Sequence, residues 1–180
     1  PQVLKYMSTT VSPMTATGRL IKAMHPDAVC VFIGPCIAKK SEVIDSITFG
    51  GADYAMTYEE LASMFEAKNI DPEECTETMQ QGSKFGKQYS VSGGVTAAVL
   101  ETFKEANKEV DLKVKTCSGA LECKKALMLL KVGKLPEDFI EGMACVGGCV
   151  NGPAMLGKSR TFLKDRNGQI AKADDRGVLE

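Results

Sequence analysis

The chain has 180 residues, of which 44% are hydrophobic and 25% charged, a composition typical of one globular domain or of one lobe of a larger domain. Its 22 Lys and Arg residues and 23 Asp and Glu residues give a net charge of -1, which argues against a nucleic-acid partner. No apolar run approaches the roughly 18–20 residues that would span a bilayer, so we expect no membrane partner.

The first elements are predicted to be a helix followed by a strand. Residues 12–24 are expected to be helical, with Ser12 as N-cap and Pro13 at the first helical position. The almost unbroken apolar run over 27–35 is typical of a strand that is buried on both faces.

The alternation of helix and strand continues along the chain. Residues 57–69 are expected to form a helix that opens with a capping box of Thr57 and Glu60. Further helices are expected over 92–109 and 120–134, strands over 111–119 and 138–145, and a turn or helix from 148. This order predicts an α/β fold, with a largely parallel sheet and flanking helices. The polar residues 157–180 are expected to form a peripheral or poorly ordered tail.

The cysteine pattern indicates a reducing compartment. An odd number of cysteines at irregular spacing argues against a secreted disulfide framework, so we expect a cytoplasmic protein. The seven cysteines are Cys30, Cys36, Cys75, Cys117, Cys123, Cys145 and Cys149.

Two of these cysteines come directly after predicted strands. Cys36 follows the strand 27–35, and Cys145 ends the strand 138–145. Ligands of open α/β sheets bind at the carboxyl ends of strands, so these thiols could point into one crevice. Cys149 would share a face with Cys145 if the chain between them formed a helical turn.

The residues around these thiols fit a metal group. Gly147 and Gly148 would let the backbone approach a bulky inorganic core and leave N–H groups to face its charge. Lys39 could offset part of the negative charge of such a group. Thiolates select iron–sulfur clusters or zinc, and the spacing leaves both open.

A structural interpretation competes with this hypothesis. A single cysteine after a strand is usually a small buried hydrophobic residue, and we assign Cys30, within the strand 27–35, to the core. The pattern leaves the roles of Cys75, Cys117 and Cys123 open and favours a structural one. A lone Cys-x-x-x-Cys is weak evidence for a metal site, whereas two such segments after two strands are much stronger together. His25 is the single histidine and is expected at the surface, which argues against Ser–His or Cys–His hydrolase chemistry.

Both segments resemble signatures of the iron–iron ([FeFe]) hydrogenases. GPCIAKKSE (34–42) resembles the second signature, Pro-Cys-x-x-Lys-x-x-Glu. EGMACVGGCVNG (141–152) resembles the third, Glu-x-Met-x-Cys-x-x-x-Cys-x-x-Gly. Residues 8–14 and 89–101 are also similar to stretches of that family, so the resemblance covers 1–156 as a fragment of the catalytic domain.

The resemblance implies a function and a cofactor. The family converts protons and electrons reversibly into H2 at a [4Fe-4S] cluster that shares a thiolate with a di-iron subcluster. The resemblance implies that Cys36, Cys145 and Cys149 bind the [4Fe-4S] cluster and that Cys149 bridges to the di-iron unit. It also implies that Lys39 hydrogen-bonds a cyanide ligand. The other residues implied in the pocket are Glu42 and Met143, the glycines Gly147 and Gly148, and Ser8 and Tyr89.

The chain also departs from the family pattern. The first signature, Thr-Ser-Cys-Cys-Pro, is absent, Gly34 replaces a methionine, and Asn151-Gly152-Pro153 replaces a run of glycines. The latter two changes resemble the divergent, sensory branch of the family. The chain begins at Pro1 without an initiator methionine or a leader, so we expect it to be a fragment. This fragment supplies three of the four thiolates that bind the [4Fe-4S] cluster. We therefore expect the fragment alone to hold no functional cofactor.

The resemblance implies several partners and leaves several functions open. The implied partners are ferredoxin or another electron carrier, H2 and protons, and the missing N-terminal part of the same polypeptide. The alternatives to a hydrogenase are an H2 or redox sensor with little turnover, an iron–sulfur scaffold without the di-iron unit, and a zinc site. An upstream Cys-Cys-Pro would favour turnover, whereas an alanine at the first of those cysteines would favour sensing.

Overall fold

The computed structural model describes residues 2–45, 49–74, 82–157, 159–174 and 176–179. Cys75 lies outside these residues, so its predicted structural role stays a prediction. The α-helices are α1 (Pro13–Met24), α2 (Ala38–Glu42), α3 (Tyr58–Ala67), α4 (Lys84–Gln88), α5 (Gly94–Glu105), α6 (Ala120–Lys131) and α7 (Ser159–Ile170). The β-strands are β1 (Val31–Ile33), β2 (Tyr54–Met56), β3 (Val114–Ser118) and β4 (Phe139–Met143).

The chain divides into two compact units. The first unit comprises residues 1–5, 77–151 and 157–180, and the second comprises 6–76 and 152–156. The predicted division into 1–156 and a tail of 157–180 stays a prediction. Within the tail, residues 159–170 form α7, which belongs to the first unit.

The first unit is built on a parallel β–α–β arrangement. Strands β3 and β4 pair in parallel over five residues each, with Thr116 opposite Glu141 and Ser118 opposite Met143. Helix α6 connects the two strands, as parallel pairing requires. The buried residues of the first unit come from β3, β4, α5 and α6 and include Thr96, Ala98, Cys117, Ala126, Glu141 and Met143.

The second unit contains a smaller parallel pair. Strands β1 and β2 pair over three residues, from Val31 opposite Tyr54 to Ile33 opposite Met56. Both sheets are parallel and carry helices between their strands, so the predicted α/β class is confirmed. Among the described residues, the parallel strands form two two-stranded sheets.

Local sequence signals set the helix starts. The Ser12 side chain accepts a hydrogen bond from the Thr15 N–H, and Pro13 is the first residue of α1. The capping box of α3 is complete, because Thr57 Oγ1 accepts from the Glu60 N–H and the Glu60 carboxylate accepts from the Thr57 N–H. Both predicted helix starts are therefore confirmed.

The predicted strand over 27–35 is wrong in length and in burial. β1 contains three residues, and Val31 and Ile33 are 44% and 41% exposed. A strand is buried on both faces only where helices cover both faces of its sheet, and a short two-stranded pair leaves much of its surface uncovered.

Candidate functional site

The two closely spaced cysteines lie on a tight turn after β4. Cys145 follows the last residue of the strand by two positions, and its carbonyl accepts a hydrogen bond from the Gly148 N–H at 3.0 Å. Gly147 and Gly148 have φ angles of +84° and +103°. Cys149 then opens a single 3₁₀ turn. We call residues 145–149 the cysteine turn.

The cysteine turn is not a turn of α-helix. The left-handed φ angles of Gly147 and Gly148 exclude a right-handed helix between the two thiols. No helical turn joins Cys145 to Cys149, so the two residues do not share a helix face. Cys145 is half-buried and Cys149 is exposed, so the two thiols differ in their access to solvent.

Gly148 is packed tightly against the backbone that leads into α5. A Cβ atom on Gly148 would lie 2.5 Å from the Ser90 carbonyl oxygen and 2.7 Å from the Ser92 nitrogen. The Ser92 N–H also donates to the Gly147 carbonyl at 3.2 Å. Position 148 thus requires a glycine because the backbone of residues 90–92 approaches it closely. The predicted approach to an inorganic core stays a prediction.

Further polar contacts hold the cysteine turn to the strands. The Gly147 N–H donates to Ser118 Oγ at 2.8 Å, at the end of β3. Asn151 Nδ2 donates to the Val146 carbonyl at 3.0 Å. These hydrogen bonds fix the backbone on both sides of Gly147, so the turn is anchored before any ligand is considered.

Met143 lies beside the exposed cysteine. Its Sδ is 4.0 Å from Cys149 Sγ, and the residue is 9% exposed. Its carbonyl accepts a hydrogen bond from the Gly119 N–H at 2.7 Å, which ties the end of β4 to the start of α6. The thioether therefore forms an apolar wall next to Cys149.

The predicted residues of the second unit form a separate group. Cys36 is half-buried, is in no disulfide and lies just before α2, where its carbonyl accepts from the Lys39 N–H at 3.3 Å. Lys39 forms an ion pair with Glu42. The Glu42 carboxylate also accepts hydrogen bonds from Ser12 Oγ and, at 3.1 Å, from Thr15 Oγ1.

These contacts change the acidity of Glu42. Burial opposes ionisation of the carboxyl group. The hydrogen bond and charge of Lys39, together with the hydroxyls of Ser12 and Thr15, outweigh that effect and hold the pKa of Glu42 below its ordinary value of 4.5. Glu42 is therefore an ionised carboxylate that orients the Lys39 ammonium.

We expect Glu42→Gln to lower the free energy of unfolding by about 1–2 kcal/mol at pH 7, because it removes a charge-assisted hydrogen-bond network. The folded pKa is lowered, so this contribution is fully present above pH 4.5 and is lost as the pH falls through the folded pKa. Urea unfolding of both proteins from pH 7 to pH 3 measures the difference. It should shrink below pH 4.5, and a constant difference down to pH 3 would contradict the assignment. Lys39→Met should weaken the same pH dependence.

Two further predicted residues lie in different surroundings. Ser8 is exposed in the second unit, where its hydroxyl donates to Thr10 Oγ1 at 2.9 Å. Tyr89 is 37% exposed in the first unit and ends α4. Their predicted places near a pocket stay predictions.

The cysteines assigned to the structural class differ in burial. Cys117 is fully buried in β3, and burial raises the pKa of its thiol. Cys123 is half-buried, and its Sγ lies 3.7 Å from the Met143 carbonyl oxygen. Cys30 precedes β1 and is half-buried, with its N–H bonded to Asp53. His25 is exposed at the end of α1, as predicted.

Two polar residues near the cysteine turn, Glu141 and Ser92, are not among the predicted site residues. Glu141 is 4% exposed in β4, and its carboxylate binds the start of α5. The Ser92 hydroxyl is buried and has no hydrogen-bond partner among the residues that the structure describes. The available signal for Glu141 was its place as the first residue of the segment that resembles the third signature. No comparable signal marked Ser92.

The predicted ligands are divided between the units. Cys145 and Cys149 belong to the first unit and Cys36 to the second. Nowhere in the described ranges do three or more His, Cys, Asp or Glu side chains form a group that could hold a metal ion. The ligand set of Cys36, Cys145 and Cys149 stays a prediction.

The residues of the cysteine turn nevertheless fit an iron–sulfur group. Thiolates are the soft donors that such clusters take, and Cys145 and Cys149 present two on one turn. A buried hydroxyl without a partner, such as that of Ser92, is unusual in a folded protein and is explained if a ligand accepts its hydrogen bond.

Comparison with known proteins identifies the family. The sequence model of the family described as "iron only hydrogenase large subunit, C-terminal domain" matches residues 1–153. The chain is 32% identical to the periplasmic [Fe] hydrogenase large subunit of Nitratidesulfovibrio vulgaris, over 87% of this chain and 48% of that protein. It is 25% identical to the cytosolic Fe-S cluster assembly factor narfl of Danio rerio, over 86% of this chain and 49% of that protein.

Solved structures give the same fold. A solved [FeFe]-hydrogenase, studied for oxygen inactivation of its H cluster, superposes with a TM-score of 0.72 at 19% identity. The superposition covers 99% of this chain and 63% of that one. The chain thus spans about half the length of the curated relatives given above. None of the helices in the described ranges has both the length and the apolar character that crossing a membrane requires.

Proposed function

The chain belongs to the family of iron-only hydrogenase large subunits, as part of their C-terminal domain, and from this premise we propose that it is the cluster-binding part of an enzyme that interconverts H2 with protons and electrons. The observation that carries the proposal is the cysteine turn. It places two thiols after β4, beside the thioether of Met143 and near the buried Ser92 hydroxyl, which has no hydrogen-bond partner among the described residues. The resemblance of residues 141–152 to the third signature of the family also supports the proposal.

The proposal assigns a task to each residue. Cys36, Cys145 and Cys149 would hold a [4Fe-4S] cluster, with Cys149 shared with a di-iron subcluster. When bound, that group would supply electron transfer and the chemistry of the H–H bond. The Lys39 ammonium, held by Glu42, is suited to donate a hydrogen bond to an anionic ligand. Met143, whose thioether contacts Cys149, would line the pocket of the di-iron unit.

A second candidate is an iron–sulfur protein without H2 turnover. The similarity to an Fe-S cluster assembly factor favours it, because a relative of that class shares the same region of this chain. In this case the thiols would hold a cluster, and no di-iron unit would be attached. A sensory role with little turnover is a variant of the first proposal.

The proposal includes partners that match this chemistry. Electrons would pass to or from ferredoxin or another carrier, and H2 and protons would be the substrates. The remaining part of the polypeptide would complete the cluster site. An odd number of cysteines at irregular spacing is unlike a disulfide framework and supports a cytoplasmic location. The Nitratidesulfovibrio relative, in contrast, is named as a periplasmic protein.

We expect the full-length polypeptide that contains this domain, matured without oxygen, to bind iron and to show infrared bands of iron-bound carbonyl and cyanide. It should also evolve H2 from a reduced low-potential dye. Metal analysis, infrared spectroscopy and gas chromatography measure these properties. A [4Fe-4S] absorption spectrum without the infrared bands would support the assembly-type candidate. Zinc in place of iron would refute both candidates.

A further inference from the structure

Glu141 occupies an unusual position for a carboxylate. It lies in the middle of β4, two residues before Met143 and four before Cys145, and is only 4% exposed. Burying a carboxylate is costly unless several hydrogen bonds compensate for the lost water. The contacts of Glu141 therefore indicate what the residue does.

The partners of Glu141 all come from the first turn of α5. Its carboxylate accepts hydrogen bonds from the Gly93 N–H at 2.6 Å, the Thr96 N–H at 2.7 Å and Thr96 Oγ1 at 2.6 Å. Gly93 is the N-cap of α5 and has no side chain to satisfy these donors. Glu141 thus caps the helix from a strand 45 residues away in sequence, where the helix dipole favours a negative charge.

The chain that leads into α5 also binds the cysteine turn. We call residues 88–93 the lead-in segment. Ser92 donates its N–H to the Gly147 carbonyl, and the Ser90 carbonyl accepts from the Val150 N–H, both at 3.2 Å. Gly148 packs against the same backbone. The lead-in segment is therefore attached to the cysteine turn at one end and, through α5, to Glu141 at the other.

We propose that Glu141 is a positioning residue for Cys145 and Cys149. Its carboxylate fixes the first turn of α5 against β4, and the lead-in segment transmits that position to the cysteine turn. Without the carboxylate, the lead-in segment and the turn shift relative to β4, and the geometry of the two thiols is no longer defined. The consequence for a cluster rests on the proposed function. The effect on the turn does not.

The test uses Glu141→Gln in the metal-free protein. Glutamine keeps the size of the side chain but offers one acceptor oxygen, so at least one α5 amide loses its partner. Amide hydrogen exchange followed by NMR should be at least about 10-fold faster at Gly93, Thr96, Gly147 and Val150, a factor reached when local opening replaces a stable hydrogen bond. Amides of α6 should keep their rates.

The matched control is Glu105→Gln. Glu105 lies in the last turn of α5 and also binds backbone amides, those of Val178 and Leu179, at 2.8 and 2.9 Å. This variant should leave exchange in the cysteine turn unchanged. Glu141→Asp, which keeps the carboxylate on a shorter side chain, should restore part of the protection.

The outcomes separate this proposal from the proposed function. Equal acceleration throughout the first unit, or unchanged exchange at Gly147 and Val150, would overturn the positioning role whatever metal the protein binds. If Glu141→Gln does not fold, Thr96→Val removes one of the three donors at nearly constant size and should show the same local pattern at a smaller factor. Uniform acceleration in that variant would equally overturn the proposal.

A second readout uses the full-length, matured protein. Glu141→Gln should bind iron but show an altered electron paramagnetic resonance spectrum of the reduced cluster, whereas Glu105→Gln should match the wild type. An unaltered spectrum would contradict the effect of Glu141 on the cluster. If the wild-type protein bound no iron, the proposed function would fail, and the exchange experiment would still decide the role of Glu141.

Discussion

Replacing Cys149 with alanine should abolish both H2 turnover and the infrared bands of iron-bound carbonyl and cyanide in the full-length, matured protein. Alanine has no thiolate, and in the proposed arrangement the Cys149 thiolate joins the di-iron subcluster to the [4Fe-4S] cluster. Because Cys149 is exposed, its replacement should change the free energy of unfolding by less than about 1 kcal/mol. The loss would therefore reflect ligation and not folding.

Cys30→Ala is the matched control for this experiment. Cys30 carries a half-buried thiol in the second unit, and its contact with Asp53 is made by the backbone N–H, which alanine retains. The control should keep the infrared bands and the activity. Bands that persisted in Cys149→Ala would show that the bridging ligand is another residue. Loss of bands in both variants would indicate a general sensitivity to thiol removal.

Features with short sequence separation could be predicted well. The cap of α1 and the capping box of α3 each depend on side chains within three residues of one another, namely Ser12 with Thr15 and Thr57 with Glu60. Their geometry follows from the backbone of a helix start and requires no knowledge of the rest of the fold. The helix predicted over 92–109 is shorter at both ends in the structure, where α5 spans Gly94–Glu105 and Gly93 is its N-cap with a left-handed φ.

Burial of the strands could not be predicted in the same way. The apolar run over 27–35 predicts a strand, but its length and exposure depend on how many neighbours the sheet provides. β1 has β2 as its partner over three residues, and its apolar side chains remain partly exposed. An apolar sequence therefore indicates a tendency to be buried, and the tertiary structure decides whether the burial occurs.

The cysteine turn shows a similar limit. The Gly-Gly sequence indicates a flexible backbone, and it is compatible with a helical turn, a hairpin or a tight left-handed turn. The contact of Gly148 with residues 90–92 selects among them. Glu141 has its partners in α5, 45 and 48 residues earlier, so neither periodicity nor local spacing could identify them. The contacts that support the cysteine turn therefore depend on the tertiary structure and not on local sequence.

Gly148→Ala should strongly destabilise the first unit. The φ of +103° is strained for any L-residue, and a Cβ would lie 2.5–2.7 Å from backbone atoms of Ser90, Val91 and Ser92. Backbone atoms cannot rotate away as the end of a side chain can, so the lead-in segment or the cysteine turn must move. We expect the free energy of unfolding to fall by about 3–5 kcal/mol, as the strain and the overlap add. Urea denaturation followed by circular dichroism measures this loss.

Gly133→Ala separates the two contributions. Gly133 lies in the same unit after α6 with a φ of +67°, and a Cβ there would meet no atom within 4 Å. Alanine at this position should cost only the backbone strain, about 1–2 kcal/mol. The excess loss in Gly148→Ala would then measure the contact between the cysteine turn and the lead-in segment. If the free energy of unfolding fell equally in the two variants, the contact between the cysteine turn and the lead-in segment would contribute little to stability. The hydrogen bonds of Ser118 and Asn151 would then have to anchor the turn.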